Sequence, residues 1–170
     1  MDKLYSILFI EDNQDDLELL LHWIKVGGIN FNHQHVSSQN GLIEVLKNHR
    51  FDIVISDFKM PSFTGFDALK IIREFDNALP FILVSGSIGE ELAVDAMRKG
   101  CKDYIMKENL RRLVPSIERE LADAEDRKLL RKAEKKIKEE EKVLESIYAS
   151  LPSGVGMIKE RKILWMNDRL

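Results

Sequence analysis

Cysteine is nearly absent from this sequence, and long apolar segments are missing. Cys101 is the single cysteine, so no disulfide framework can form and a reducing compartment is expected. The N-terminal apolar run at 7–10 is far too short for a signal peptide, and no stretch approaches the length of a membrane span. These absences predict a cytoplasmic protein with no membrane partner.

Glycine and proline are absent between residues 116 and 150, although the chain has 9 glycines and 4 prolines. This stretch is dense in Glu, Lys and Arg, so a long helix is predicted. From just before this stretch to its end, apolar residues follow two heptad registers offset by two: Val114, Ile117, Leu121 and Ala124, then Leu130, Ala133, Ile137, Leu144 and Ile147. This pattern favours a parallel two-stranded coiled coil, and therefore a homodimer, with a register break at 124–130. A single solvated helix is the alternative.

Two residues predict where the long helix begins. Pro115 suits the first helical position, because proline has no N–H to leave unpaired. Asn109 suits the cap of a separate single turn at 110–112.

Charge is distributed unevenly along the chain. Residues 1–108 hold 17 Asp/Glu and 11 Lys/Arg, a net of −6, whereas residues 109–170 hold 12 and 15, a net of +3. The acidic part argues against nucleic acid as a direct partner and favours cations. The charges of the basic part alternate in sign, which indicates a solvated helix face.

Strand-like and helix-like segments alternate up to about residue 108. Five segments have strand character, three of them nearly continuous apolar runs and two of them weaker: 6–10, 53–56 and 81–85, then 33–36 and 104–106. Between them, apolar residues recur at three- and four-residue spacing, as helices require. Alternating strands and helices predict an α/β fold with a parallel, doubly wound sheet.

Chemically active residues follow or end four of these strands. Glu11 and Asp12 follow the segment at 6–10, and Asp57 follows the segment at 53–56. Ser85 ends the segment at 81–85, and Lys107 follows the segment at 104–106. Because ligands collect at the carboxyl ends of parallel strands, these side chains should meet. Three carboxylates there need a cation, and Mg²⁺ prefers oxygen ligands. A carboxylate can attack phosphorus to give an acyl phosphate, while Mg²⁺, the hydroxyl and the ammonium neutralise the phosphoryl oxygens.

Each of these residues has an ordinary explanation when it is taken alone. An aspartate such as Asp57 more often forms a turn or a cap, and the acids at 11 and 12 suit a first helical turn. Ser85 before a glycine suits a turn, and a lysine such as Lys107 is usually solvated. Their shared position at one edge of one sheet outweighs these separate explanations.

Four stretches, ILFIEDN, DIVISDFKMPSFTGFDAL, PFILVSGS and GCKDYIMKENL, together resemble the receiver domain of bacterial response regulators over roughly residues 3–120. The resemblance implies a flavodoxin-like sheet of five parallel strands in the order 2-1-3-4-5, followed by a long C-terminal helix. It implies that a histidine kinase or phosphotransfer protein phosphorylates Asp57. The receiver would carry out this Mg²⁺-dependent transfer, and a slow dephosphorylation, without a separate catalytic domain in the chain.

The resemblance also assigns roles to individual residues. Glu11, Asp12, Asp57 and the backbone carbonyl of Lys59 would bind Mg²⁺. Lys107 would bind the phosphoryl group, and Ser85 and Tyr104 would form the switch; a half-buried core tyrosine is the alternative for Tyr104. The sequence departs from the usual pattern at Ser85, where threonine is commoner, and at Gly86, where alanine is common.

The end of the chain resembles the start of a PAS sensor domain, with strand-like pieces at 155–158 and 163–166. We therefore predict a receiver at 1–120, a helical linker at 121–150 and the opening of a PAS domain at 151–170. A receiver joined to a PAS domain resembles the front of a sensor histidine kinase or a similar multidomain signalling protein.

Two other classes of protein compete with this interpretation, a purely structural dimerisation module and an enzyme or cofactor protein on the same fold. A purely structural dimerisation module is disfavoured because every active-site position holds a competent residue. A flavin-binding relative should carry a glycine- and hydroxyl-rich loop after the first strand, where this chain is acidic. A phosphatase with an aspartyl-phosphate intermediate should carry a second aspartate where this chain has Lys59.

Overall fold

The computed structural model describes residues 3–86, 90–150, 156–159 and 162–166. Seven strands are described, β1 Tyr5–Ile10, β2 Phe31–Val36, β3 Ile53–Asp57, β4 Phe81–Ser85, β5 Asp103–Met106, β6 Gly156–Lys159 and β7 Lys162–Met166. Five α-helices are described, α1 Gln14–Val26, α2 Gln39–Asn48, α3 Gly65–Phe75, α4 Glu90–Arg98 and α5 Leu113–Ser150, together with a 3₁₀ helix at Lys107–Arg112. No helix in these ranges combines the length and apolar character of a membrane span.

The first five strands form a parallel sheet in the order β2-β1-β3-β4-β5, which confirms the predicted topology. Side chains alternate between its two faces. Ile7 and Phe9 pack with α1 and the start of α5, whereas Leu8 and Ile10 pack with α2 and α3. Burial on both faces explains the continuous apolar runs of the inner strands.

The edge strands differ from the predicted segments. β2 begins at Phe31 rather than at residue 33, and β5 begins at Asp103 rather than at residue 104. Both strands lie at an edge of the sheet, so polar residues are accommodated and the apolar pattern weakens at their starts. Among the inner strands, β4 has the predicted bounds, 81–85, whereas β1 begins one residue earlier than predicted, at Tyr5, and β3 ends one residue later, at Asp57.

The start of α5 corrects the prediction made for Pro115. The helix begins at Leu113, so Pro115 is its third residue rather than its first. Proline is tolerated there because the N–H groups of the first turn have no partner within the helix. Asn109 has a non-helical backbone, φ −129° and ψ 50°, at a kink within 107–112, so a separate turn follows it at 110–112, as predicted. Its role as the cap of that turn stays a prediction.

The two apolar registers of α5 have different surroundings. Ile117 and Leu121 are buried against β1, β3 and β5, and Ala124 is buried as well, so the prediction that they form a coiled-coil seam is wrong. They are the face of α5 that covers the sheet. The second register, by contrast, is 49–61% exposed at Leu130, Ile137, Leu144 and Ile147.

A polar cluster joins β5 to α5. The Ser116 hydroxyl donates to Asp103 Oδ2 at 2.6 Å, and Arg119 Nη2 lies 3.0 Å from the same oxygen. Burial alone would raise the pKa of Asp103, but the hydrogen bonds from Ser116 and Arg119 outweigh it and hold that pKa below its usual value. The carboxylate therefore fixes the first turns of α5 to the last strand of the sheet.

The chain forms two compact units, Met1–Glu125 and Asp126–Leu170. In the second unit β6 and β7 pair antiparallel, which confirms the two strands predicted near the end of the chain. The predicted first strand included Val155, which lies outside the described residues.

Candidate phosphoacceptor site

Three carboxylates meet at the carboxyl edge of the sheet, as the sequence predicts. Glu11 and Asp12 follow β1, Asp57 ends β3, and these two strands are neighbours in register, with Ile10 opposite Ser56. One oxygen from each carboxylate lies within 4.8 Å of the others. Glu11 is 1% exposed and Asp57 5% exposed, whereas Asp12 is open to solvent.

Backbone groups fix the two buried carboxylates. The Asn13 N–H donates to Glu11 Oε1 at 3.1 Å, and the Lys59 N–H donates to Asp57 Oδ2 at 2.8 Å. His35 Nε2 lies 2.6 Å from the Glu11 carbonyl oxygen, so this ring nitrogen donates from the edge strand β2. The sequence did not point to His35, because a histidine on an edge strand carries no functional signal by itself.

Lys107 is the cation of this site. Its Nζ lies 2.9 Å from Asp57 Oδ1, 3.1 Å from Glu11 Oε2 and 2.6 Å from Asp16 Oδ2. Burial alone would lower the pKa of Lys107, but its bonds to Asp16, Asp57 and Glu11 outweigh burial and raise that pKa. Lys107 therefore remains an ammonium group and partly neutralises the acidic cluster.

One ammonium does not neutralise the cluster completely. Burial raises the pKa of Glu11 above its usual value, and the charge of Asp57 adds to this effect. The Asn13 N–H and Lys107 oppose the rise without cancelling it. The buried carboxylates would therefore gain from a further cation, and oxygen donors beside an exposed carboxylate fit Mg²⁺, which keeps several waters. The predicted role of the Lys59 carbonyl stays a prediction, because the described contact of Lys59 with Asp57 is through its N–H.

Ser85 and Tyr104 lie on the neighbouring strands β4 and β5, where Leu83 is opposite Tyr104 and Met106 is opposite Ser85. Ser85 is buried, and Tyr104 is half-buried with its hydroxyl donating to Met106 Sδ. Burial raises the pKa of Tyr104, and a hydrogen bond with Ser85 partly opposes this rise. The two predicted switch residues therefore lie within interaction range of each other.

Two glycines border the site in different ways. A Cβ at Gly65 would lie 2.5 Å from Leu83 Cδ1 and 2.9 Å from the Asp57 carbonyl oxygen, so the close approach of α3 to β3 requires glycine. Among the residues that the structure describes, a Cβ at Gly86 would meet Lys107 Cδ, at 3.9 Å. With respect to these described neighbours, alanine would fit at Gly86.

The sequence matches the response regulator receiver domain family over residues 7–118. Among curated proteins, the response regulator protein FleR of Pseudomonas aeruginosa is 34% identical over 102 residues, which are 60% of this chain and 21% of FleR. The chemotaxis protein CheY of Bacillus subtilis is 35% identical over 72 residues, 41% of this chain and 60% of CheY. The yeast transcription factor SKN7, from Saccharomyces cerevisiae, is 30% identical over 105 residues, 62% of this chain and 17% of SKN7.

Solved structures show the same fold. A CheY-like receiver domain protein from Methanospirillum hungatei superposes with a TM-score of 0.63 at 25% identity, covering 74% of this chain and 99% of that protein. The signal receiver domain of a LuxO repressor protein from Vibrio parahaemolyticus gives a TM-score of 0.67 at 25% identity, over 75% of this chain and 98% of the other.

Together with the site, these matches identify the class of protein: the chain belongs to the response regulator receiver domain family of two-component signalling. Receivers are phosphorylated on an aspartate, generally bind Mg²⁺ through acidic residues, and interact with histidine kinases or phosphotransfer proteins. This chain spans only 21% of FleR and 17% of SKN7.

Proposed function

We propose that Asp57 is the phosphoacceptor of a phosphorelay receiver. The observation that carries the proposal is the pairing of Asp57 Oδ1 with Lys107 Nζ at 2.9 Å, inside a cluster that also contains Glu11 and Asp12. A carboxylate in this position is buried, fixed by the Lys59 N–H and adjacent to a cation. These are the conditions for accepting a phosphoryl group.

The reaction is a phosphoryl transfer to a carboxylate oxygen. An oxygen of Asp57 attacks the phosphorus of a phosphohistidine, a P–O bond forms, and the P–N bond to the donor imidazole breaks. Lys107 holds the negative oxygens of the arriving group through charge-assisted hydrogen bonds. Mg²⁺, bound by Glu11, Asp12, Asp57 and the Lys59 carbonyl, would supply further charge neutralisation when it is present.

Signal leaves the site through β4 and β5. A phosphoryl group on Asp57 attracts the Ser85 hydroxyl, and Tyr104 repacks toward the space that Ser85 leaves. Tyr104 is next in sequence to Asp103, which binds Ser116 and Arg119 of α5. A shift of β5 is therefore transmitted to the first turns of α5, and along that helix toward a PAS-type output in a cytoplasmic sensor kinase or related protein.

Acetyl phosphate tests the proposed function without any partner protein. The wild-type chain, incubated with acetyl phosphate and Mg²⁺, should gain one phosphoryl group by intact-mass spectrometry, and peptide mapping should place it on Asp57. Chelation of Mg²⁺ with EDTA should suppress the gain strongly. A chain that gains nothing, or that carries the group on another residue, would contradict the proposal.

The proposed homodimer depends on the exposed register of α5. Pairing would bury Leu130, Ile137, Leu144 and Ile147, each worth about 1–2 kcal/mol when well packed. A parallel pair also places the two following segments side by side, as a symmetric output requires.

Replacing Ile137 by lysine should weaken the dimer at least about tenfold, because a charge would enter the seam. Analytical ultracentrifugation measures the change. Ser146→Lys is the matched control, since it adds the same charge on the opposite side of the heptad. A wild-type chain that is monomeric at high micromolar concentration, with and without phosphorylation, would contradict the dimer.

A further inference from the structure

Asp16 makes the shortest of the three bonds to Lys107, at 2.6 Å, although it lies outside the predicted metal cluster. It is the third residue of α1, and its backbone N–H is bound by the cap residue Asn13 at 3.3 Å. The start of the helix therefore fixes where this carboxylate stands. Its side chain is 32% exposed, and that of Lys107 is 20% exposed, so the pair lies at the rim of the site.

Lys107 and a metal ion compete for two of the same carboxylates. An ammonium group has three N–H donors, and here they serve Glu11, Asp57 and Asp16. Glu11 and Asp57 also belong to the carboxylate triad that fits Mg²⁺. A divalent ion on those oxygens repels the ammonium group, and among the three partners Asp16 alone lies outside the triad.

From this arrangement we infer that Asp16 is a positioning residue. Its carboxylate holds the Lys107 ammonium at the rim of the site, so that a divalent cation and the lysine can occupy the cluster together. Without Asp16, Lys107 would rely on Glu11 and Asp57 and would exclude the metal more strongly. The inference rests on the proposed function, because it assigns Asp16 a part in the metal-dependent chemistry of Asp57.

Two simpler roles for Asp16 make different predictions. If Asp16 only stabilised the start of α1, its removal would lower stability without changing the affinity for Mg²⁺ selectively. If it only added negative charge near the site, its removal would weaken Mg²⁺ binding whether or not Lys107 is present. A role exercised through Lys107 requires that the effect depend on Lys107.

The test is a Mg²⁺ titration of the whole chain, followed by the chemical shifts of backbone amides in NMR spectra. The Asp16→Asn variant should bind Mg²⁺ about three- to tenfold more weakly than the wild type. Its phosphorylation by acetyl phosphate should be slower at low Mg²⁺ and should recover at saturating Mg²⁺. Asp16→Glu, which keeps the carboxylate, should bind Mg²⁺ within about twofold of the wild type.

Two comparisons complete the experiment. In a Lys107→Ala background, Asp16→Asn should change Mg²⁺ affinity by less than about twofold. Asp15→Asn is the matched control, because Asp15 is the neighbouring acid and makes no ion pair with any described residue. An equal loss of affinity with and without Lys107, or an unchanged affinity in Asp16→Asn, would overturn the inference while the proposed function stands. A wild-type chain that binds no Mg²⁺ would overturn both.

Discussion

Replacing Asp57 by asparagine is expected to abolish phosphorylation while the fold is retained. The amide has the same shape as the carboxylate, but its neutral oxygen and nitrogen are poor nucleophiles toward phosphorus. With acetyl phosphate and Mg²⁺, we expect the phosphorylated fraction to fall from a measurable share of the chains to none by intact-mass spectrometry.

The fold should tolerate this change well. Asp57 is 5% exposed, and its charge contributes to raising the pKa of Glu11. Removing one of two adjacent buried charges relieves repulsion, so thermal unfolding should occur at the wild-type temperature or above it. Circular dichroism would measure this, and it separates loss of the acceptor from loss of structure.

Asp12→Asn is the matched control for Asp57→Asn. It removes a carboxylate from the same cluster but leaves the acceptor and its contacts with Lys59 and Lys107 in place. We expect it to raise the Mg²⁺ concentration needed for phosphorylation without abolishing the reaction. If the Asp57→Asn chain gains the same mass as the wild-type chain, the acceptor has been assigned wrongly.

The parts of the site that could be predicted share one property, which is their place at the end of a strand. The inner strands β1, β3 and β4 are recognisable because burial on both faces demands continuous apolar residues. Once those ends are located, the parallel topology brings Glu11, Asp12, Asp57 and Ser85 to one edge of the sheet. Their shared place at this edge could therefore be predicted without knowledge of any side-chain contact.

Asp16 and His35 could not be predicted in the same way. An acid in the first turn of a helix is ordinarily explained by the helix dipole, and the sequence does not reveal that Lys107 reaches it across the site. His35 acts through the backbone carbonyl of Glu11, and such a bond depends on the strand register rather than on residue type. Both residues contribute through tertiary geometry.

The error on α5 has a related cause. Apolar residues at heptad spacing are found on any buried helix face. The spacing does not show whether the face packs against a second helix or against the sheet of its own domain. The register through Ile117 and Leu121 covers the sheet of its own domain. The sequence does show where the surroundings of the helix change, because the apolar register shifts before Leu130. This shift lies close to Glu125, where the first compact unit of the structure ends.

Replacing Lys107 by alanine is expected to separate phosphorylation from its consequences. The variant keeps Asp57 and the carboxylate cluster, so acetyl phosphate should still modify it. The new phosphoryl group would lack the ammonium that holds it on the side of β5. Phosphorylation should then leave the amide resonances of Tyr104 and of the residues around Ser116 nearly unshifted, whereas both should shift in the wild type.

Removing this ammonium should also strengthen metal binding. Lys107 occupies oxygens of Glu11 and Asp57, which lie in the triad that fits Mg²⁺. Without the lysine, the ion meets three uncompensated carboxylates, and we expect its affinity to rise by about tenfold or more. The cost should appear as lower stability in the absence of metal, because Glu11 and Asp57 are buried without a cation.

The opposite signs of these effects make the Lys107→Ala variant informative. A general disturbance of the site would weaken both metal binding and phosphorylation. Loss of a competing cation, by contrast, strengthens metal binding and removes the response of β5 and α5 to phosphorylation. Lys102→Ala is the control, since Lys102 is an exposed lysine that directly precedes β5, whereas Lys107 directly follows it. If Tyr104 and Ser116 respond to phosphorylation in Lys107→Ala as they do in the wild type, the signal does not pass through this ammonium.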